Sequence, residues 1–173
     1  MVNDYNYGTG EGIEMEKTIR KAVRCYLIKD EKILVVKYKN DNNKKDFYDI
    51  PGGKIEEGET PEQTVIREMN EETGVMPKNI KNKGRMVIEY PKKIFDFNVF
   101  YTNEYEGVNQ EFEDNISEWI EIDKLLKEDK ILPNSLILNR FFIDSLIKEE
   151  LIFDMHIVVD ELENVISVTY NII

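Results

Sequence analysis

Apolar residues recur along this chain with two periods, and the switch from one to the other marks its elements. Over residues 18–28, Val23, Cys25 and Leu27 fall at every second position, the period of a strand. Asp30-Glu31 makes a turn, and residues 32–38 (KILVVKY) return as a strand whose Ile33, Leu34, Val35 and Val36 read as buried. Residues 39–46 (KNDNNKKD) form a charged, asparagine-rich loop. Residues 47–50 lead into Pro51-Gly52-Gly53, a tight turn that needs the backbone freedom of glycine. The period then lengthens. Thr60 can cap a helix, Pro61 suits its first position, Gln63 completes a capping box, and Gly74 ends it after about Thr73. Val65, Ile66 and Met69 would face the core, with Glu68, Glu71 and Glu72 on the adjoining side.

Two strands follow, over 85–90 and 93–102. In the second, Phe95, Phe97 and Val99 alternate with Asp96, Asn98 and Phe100, one apolar face against one mixed face. Residues 107–114 form an acidic loop, 117–122 a strand around Trp119, and 123–128 a short helix. Residues 136–149 carry an amphipathic helical pattern, and 152–159 with 165–172 form a closing hairpin. Repeats, linkers and low-complexity segments are absent from the sequence. The expectation is one domain over residues 1–173, with a loose N-terminal arm at about 1–17.

Charge narrows the partners. A formal net charge of −12 argues against nucleic acid and against an anionic membrane surface. No run of 18 apolar residues exists to span a bilayer. The single cysteine, Cys25, rules out an internal disulfide and fits a reducing, cytoplasmic setting, as a monomer or homodimer. Cys25 reads as a small core hydrophobe and His156, among apolar neighbours, as structural.

The candidate chemistry lies between Gly52 and Val75, where seven glutamates fall within 24 residues. Glu68, Glu71 and Glu72 have helical spacing, so their carboxylates share a face. Like charges gathered in that way destabilise one another unless a cation neutralises them. Hard oxygen ligands point to Mg2+ or Mn2+, and a dication of that kind commonly meets phosphates.

Gly53, then Glu59, then Arg67-Glu68-Met69-Asn70-Glu71-Glu72-Thr73-Gly74-Val75 resembles a complete Nudix box, every fixed position filled. At about one residue in fifteen, seven fixed matches arise by chance on the order of once in 10^8 windows. The resemblance implies an α/β fold, the Nudix-type α/β/α sandwich with a mixed central sheet. It also implies hydrolysis of a nucleoside diphosphate linked to another moiety. By box position it implies Glu68, Glu71, Glu72 and the Gly52 carbonyl as metal contacts, with Glu59 and Arg67 supporting them. Glu68, or an acid beyond the box, would activate water; Glu111, Glu113, Asp114 and Glu118 are candidates, Glu113 or Asp114 foremost. The run is similar to the MutT branch, which implies a nucleoside triphosphate, oxidised purines included, cleaved to the monophosphate and pyrophosphate.

Arg24 stands equally for a phosphate contact and for a salt bridge. The same resemblance implies that Asp49 and Asn134 stand at base-reading positions, with Asn98 a further substrate contact and Phe97 or Phe100 available to stack. Alternatives keep the reaction and change the substrate to ADP-ribose, a dinucleoside polyphosphate or an RNA 5′ end, the last disfavoured by charge. A nucleotide sensor without turnover is the remaining alternative, and the full set of box glutamates argues against it.

Overall fold

The computed structural model describes residues 17–38, 47–110, 115–127, 140–148, 152–162 and 164–173. The arm up to residue 16, the 39–46 loop, Glu111, Glu113, Asp114 and Asn134 lie outside them. The elements are β1 (Thr18–Lys29), β2 (Lys32–Tyr38), β3 (Phe47–Asp49), α1 (Pro61–Thr73), β4 (Met76–Lys78), β5 (Lys81–Glu89), β6 (Lys93–Thr102), β7 (Glu104–Glu106), β8 (Asn115–Glu121), α2 (Ile122–Leu125), α3 (Arg140–Ile147), β9 (Phe153–Val159) and β10 (Val165–Ile172).

Eight strands form one mixed sheet in the order β10-β9-β5-β6-β1-β2-β3, with β8 also paired to β2. β1 runs parallel to β6, and β5 parallel to β9. β1 meets β2 only at their hairpin, Ile28 opposite Ile33 and Lys29 opposite Lys32. Beyond it the two strands part. β3 pairs further along β2, Val36 opposite Asp49, while β8 covers the other edge of β2 throughout. Into the opened gap falls Pro51-Gly52-Gly53. Val23 N–H donates to the Gly53 carbonyl and Cys25 N–H to the Pro51 carbonyl, each at 2.9 Å, so the turn leans on β1.

The sheet separates two apolar layers. On one face α1 sets Val65 and Met69 against Val23, Cys25, Leu27, Leu34 and Phe100. On the other, Phe142, Ile143 and Leu146 of α3 meet Tyr26, Ile28, Met86, Ile88, Phe153 and Ile157. That is a sandwich of helices on both sides of a mixed sheet, and Cys25 is buried in it as expected.

Helix α1 begins and ends where its residues dictate. The Thr60 side chain accepts from Gln63 N–H, the Gln63 side chain accepts from Thr60 N–H, and Pro61 opens the helix. Gly74 closes it in the left-handed region (φ 71°), donating to the Asn70 carbonyl at 2.9 Å.

Four details differ from the sequence expectation. Ile66 is exposed, and Thr64 and Thr73 are buried in its stead. β4 and β7 pair as a separate ribbon, each too short to show a period. β5 begins at Lys81 rather than Arg85. His156 stands on the outward face of β9, its Nε2 2.8 Å from Glu89 Oε2, and not among apolar groups.

Candidate active site

The site is built on two missing side chains. A Cβ on Gly52 would lie 2.1 Å from the Val23 carbonyl oxygen, so only glycine lets the turn rest on β1. A Cβ on Gly53 would lie 2.2 Å from Glu68 Oε1. The space that side chain would fill holds the Glu68 carboxylate instead. One helical turn along, Glu72 Oε2 accepts the Gly52 N–H at 2.9 Å. Two successive glycines therefore receive two carboxylates spaced by four residues on α1.

Arg67 ties the box together. Its Nε and Nη2 donate to the two oxygens of Glu59 at 2.7 and 2.9 Å, a two-pronged pair. Nη1 donates to Glu68 Oε1 at 2.8 Å and to Glu71 Oε2 at 3.1 Å, and Nη2 also reaches the Lys54 carbonyl at 3.1 Å. One guanidinium thus fixes three glutamates and the chain after the turn. Hydrogen bonds, from Arg67 foremost and then from Thr64 and the Glu56 N–H, hold the Glu59 carboxyl down at about 2. Glu71 is the outermost of the set, its side chain 57% exposed against 15% for Glu68.

Glu72 is held differently. Tyr38 O–H donates to Glu72 Oε1 at 2.6 Å, while Gly52 takes the other oxygen. Burial pushes the Glu72 carboxyl above its ordinary range, against the Tyr38 and Gly52 hydrogen bonds and the charge of Arg24; the charge of Glu68 adds to the rise.

Among the described residues, no three acids, histidines or cysteines converge tightly enough to form a metal cage. Arg67 supplies the neutralising charge for Glu68 and Glu71 in this arrangement. The donors still suit a hard dication. Each Glu72 oxygen keeps a lone pair beyond its one hydrogen bond, and no backbone hydrogen bond among the described residues ends on the Gly52 carbonyl. The carbonyls on either side of it are both committed to β1.

The base-reading candidates divide between the two faces of the sheet. Arg24 donates from Nη2 to Asp49 Oδ2 at 2.7 Å and from Nη1 to the Ile50 carbonyl at 2.6 Å, and lies 4.9 Å from the Phe97 ring centre. Burial lowers the Arg24 pKa, but Asp49, Tyr26 and Glu72 more than offset it, and the guanidinium ends above its ordinary value. The salt bridge is the arrangement present, and it is internal. Asp49 Oδ1 accepts the Ile50 N–H at 2.8 Å, so both its oxygens are engaged. Asn98 lies in register with Val23 on the face that carries α1, whereas Phe97 packs in the opposite layer. Phe100 is core. Glu118, opposite Val35 on β2, belongs to the face away from α1.

Sequence reasoning missed Tyr38 and Thr64. Tyr38 lies 34 positions from its partner in the chain and carries no motif. Thr64 Oγ1 donates to Glu59 at 2.9 Å, and its place in the first helical turn, five residues after Glu59, was the available signal.

Comparison with known proteins adds a family. Residues 18–141 match the model of the NUDIX domain. The chain is 44% identical over 59 residues to an 8-oxo-dGTP diphosphatase of Haemophilus influenzae, a match covering 34% of this chain and 43% of that protein. It is 51% identical over 57 residues to an ADP-ribose pyrophosphatase of Methanocaldococcus jannaschii, covering 33% of each. The chain thus spans less than half the length of these two relatives. In structure it is similar to the MutT protein of Bacillus halodurans, with TM-score 0.72, 21% identity, and coverage of 88% of this chain and 97% of that one. At that identity the likeness speaks for the fold.

Proposed function

The chain belongs to the Nudix family, and from that premise we propose that it is a dication-dependent pyrophosphohydrolase of a nucleoside triphosphate, releasing the nucleoside monophosphate and pyrophosphate. The observation that carries this reading is the placing of Glu68 and Glu72 on consecutive glycines, beside a Gly52 carbonyl left open. Glu68, Glu72 and that carbonyl would hold Mg2+ or Mn2+, with Glu71 at the rim and Asp114 a further candidate ligand. The metal, when bound, neutralises charge on the phosphoryl oxygens and eases deprotonation of water.

The protein's own groups do the rest. Arg67 keeps Glu68 turned toward the glycine turn, and Glu59 keeps Arg67 in place. Glu68, beside Gly53, takes the proton of the attacking water, with an acid beyond the box as the other candidate base. Water adds to phosphorus as the bridging P–O bond breaks, and the bridging oxygen leaves with the departing phosphate.

A second reading keeps the chemistry and changes the moiety beyond the diphosphate to ADP-ribose or a dinucleoside polyphosphate. One observation favours it. Over 57 residues the chain is 51% identical to an ADP-ribose pyrophosphatase, whose substrate has a diphosphate and no triphosphate.

The products formed from canonical and oxidised nucleoside triphosphates, sugar nucleotides and dinucleoside polyphosphates with Mg2+ or Mn2+ test both readings: pyrophosphate with a nucleoside monophosphate from the first class, nucleoside phosphates without pyrophosphate from the others. Turnover of one class is expected. Glu68→Gln and Glu72→Gln are each expected to lower kcat by about 10^2- to 10^3-fold, the scale of losing one preorganised charge at the reacting centre. Full turnover in either variant sinks the site assignment. The absence of turnover on every nucleotide sinks the activity.

A further inference from the structure

The turn of Glu72 toward the site depends on a residue outside the box. Its carboxylate is gripped from two sides, by a backbone N–H that every residue but proline could supply and by one phenol. Tyr38 reaches it from the far end of β2, where that strand has parted from β1 and pairs with β3 and β8. The Tyr38 ring is itself fixed, stacked on Phe47 at 5.2 Å between centres and 27° between planes. Tyr38 and Phe47 are also backbone partners across β2 and β3. The phenol is thus delivered by a packed ring on paired strands, and its 2.6 Å bond to a carboxylate is short and charge-assisted.

Geometry decides what that bond does. Each oxygen of Glu72 receives one donor, so the carboxylate cannot rotate about its terminal bond without breaking one of them. Its unused lone pairs are then fixed in direction.

We infer that Tyr38 is a positioning residue, which presets the Glu72 carboxylate to receive the dication and so sets the affinity of the metal. The inference rests on the reading of Glu72 as a metal contact under the proposed function. Groups that orient a metal's ligands carry about ten- to a hundredfold in affinity when removed. Tyr38 stands in that relation to Glu72: it bonds the carboxylate at 2.6 Å, and its loss frees a ligand to turn.

Titration of wild-type protein and of Tyr38→Phe with Mn2+ alone, followed by calorimetry, tests this without any substrate. The ring and its stack on Phe47 remain in the variant; only the hydroxyl goes. The expected result is a Kd for Mn2+ raised about ten- to a hundredfold, with Tm within a few degrees of wild type. In a cycle with Glu72→Gln, the Tyr38→Phe effect is expected to vanish, because the phenol acts only through that carboxylate. If Tyr38→Phe lowers Tm further than that, the cycle decides: coupling to Glu72→Gln upholds the role, and additivity overturns it. Equal Mn2+ affinity in Tyr38→Phe and wild type overturns the positioning role while leaving the hydrolase reading intact. A wild-type protein that binds no Mn2+ overturns both.

Discussion

Glu59 shows how one hydrogen-bonded carboxylate makes a fold sensitive to acid. Arg67 grips both its oxygens, and its carboxyl titrates at about 2 in the fold against about 4.3 in an unfolded chain. A carboxylate with a depressed folded pKa stabilises the fold above its unfolded value and loses that contribution as pH falls through the folded one. Glu59 therefore supports the fold fully above about pH 4.3 and surrenders that support on the way to about pH 2. Denaturant midpoints followed from pH 6 to pH 2.5 are expected to fall less steeply for Glu59→Gln than for wild type. Parallel curves refute the assignment. Helical spacing made the shared face of Glu68, Glu71 and Glu72 legible, and the resemblance to the Nudix box did the same for Glu59 beside Arg67 and for the glycine turn. Tyr38 and the Arg24–Asp49 pair were not legible, since each depends on strands brought together from distant parts of the chain.

Helix α1 holds both the fold and the candidate chemistry, and its ends decide how firmly. The reciprocal hydrogen bonds of Thr60 and Gln63 satisfy two orphan donors of the first turn. Loss of such a cap costs about 1 kcal/mol. For a domain of this size that lowers Tm by about 2–4 °C. Thr60→Ala is expected to do so, while Thr60→Ser holds the wild-type value; an unchanged Tm in Thr60→Ala would show the cap to be idle. The sequence announced this element from cap to cap. It placed Ile66 wrongly: Val65 and Met69 fill the contact with the sheet, and position 66, about 100° round the helix from Val65, reaches solvent. The β4–β7 ribbon escaped notice for a different reason: three-residue strands carry no pattern, and their pairing is long-range.

For the whole molecule, Cys25 offers a probe of cooperativity. It is fully buried between β6 and the glycine turn, and burial pushes its thiol up to about 12. At pH 8 such a thiol reacts only when the sheet opens around it. Labelling by a thiol reagent is expected to run at the rate of global opening and to speed with denaturant in step with the unfolding transition. Rapid labelling of the folded protein would mean that the sheet breathes locally at β1. The layer order and the mixed sheet were legible from strand and helix periods together with the family resemblance. The parting of β1 from β2 was not, because both strands read as uninterrupted and the gap is created by what comes later in the chain.

That parting has a consequence for assembly. β1 finds its parallel neighbour only in β6, some 75 positions downstream, and the glycine turn can settle on β1 only along the edge that β2 leaves free. A chain emerging from a ribosome thus carries β1, the glycine turn and the acidic helix before it carries β6, the strand that pairs along the other edge of β1. The edge of β1 away from the glycine turn therefore stays unpaired until residue 102 has been made, and the pairing that covers it is one of long sequence separation.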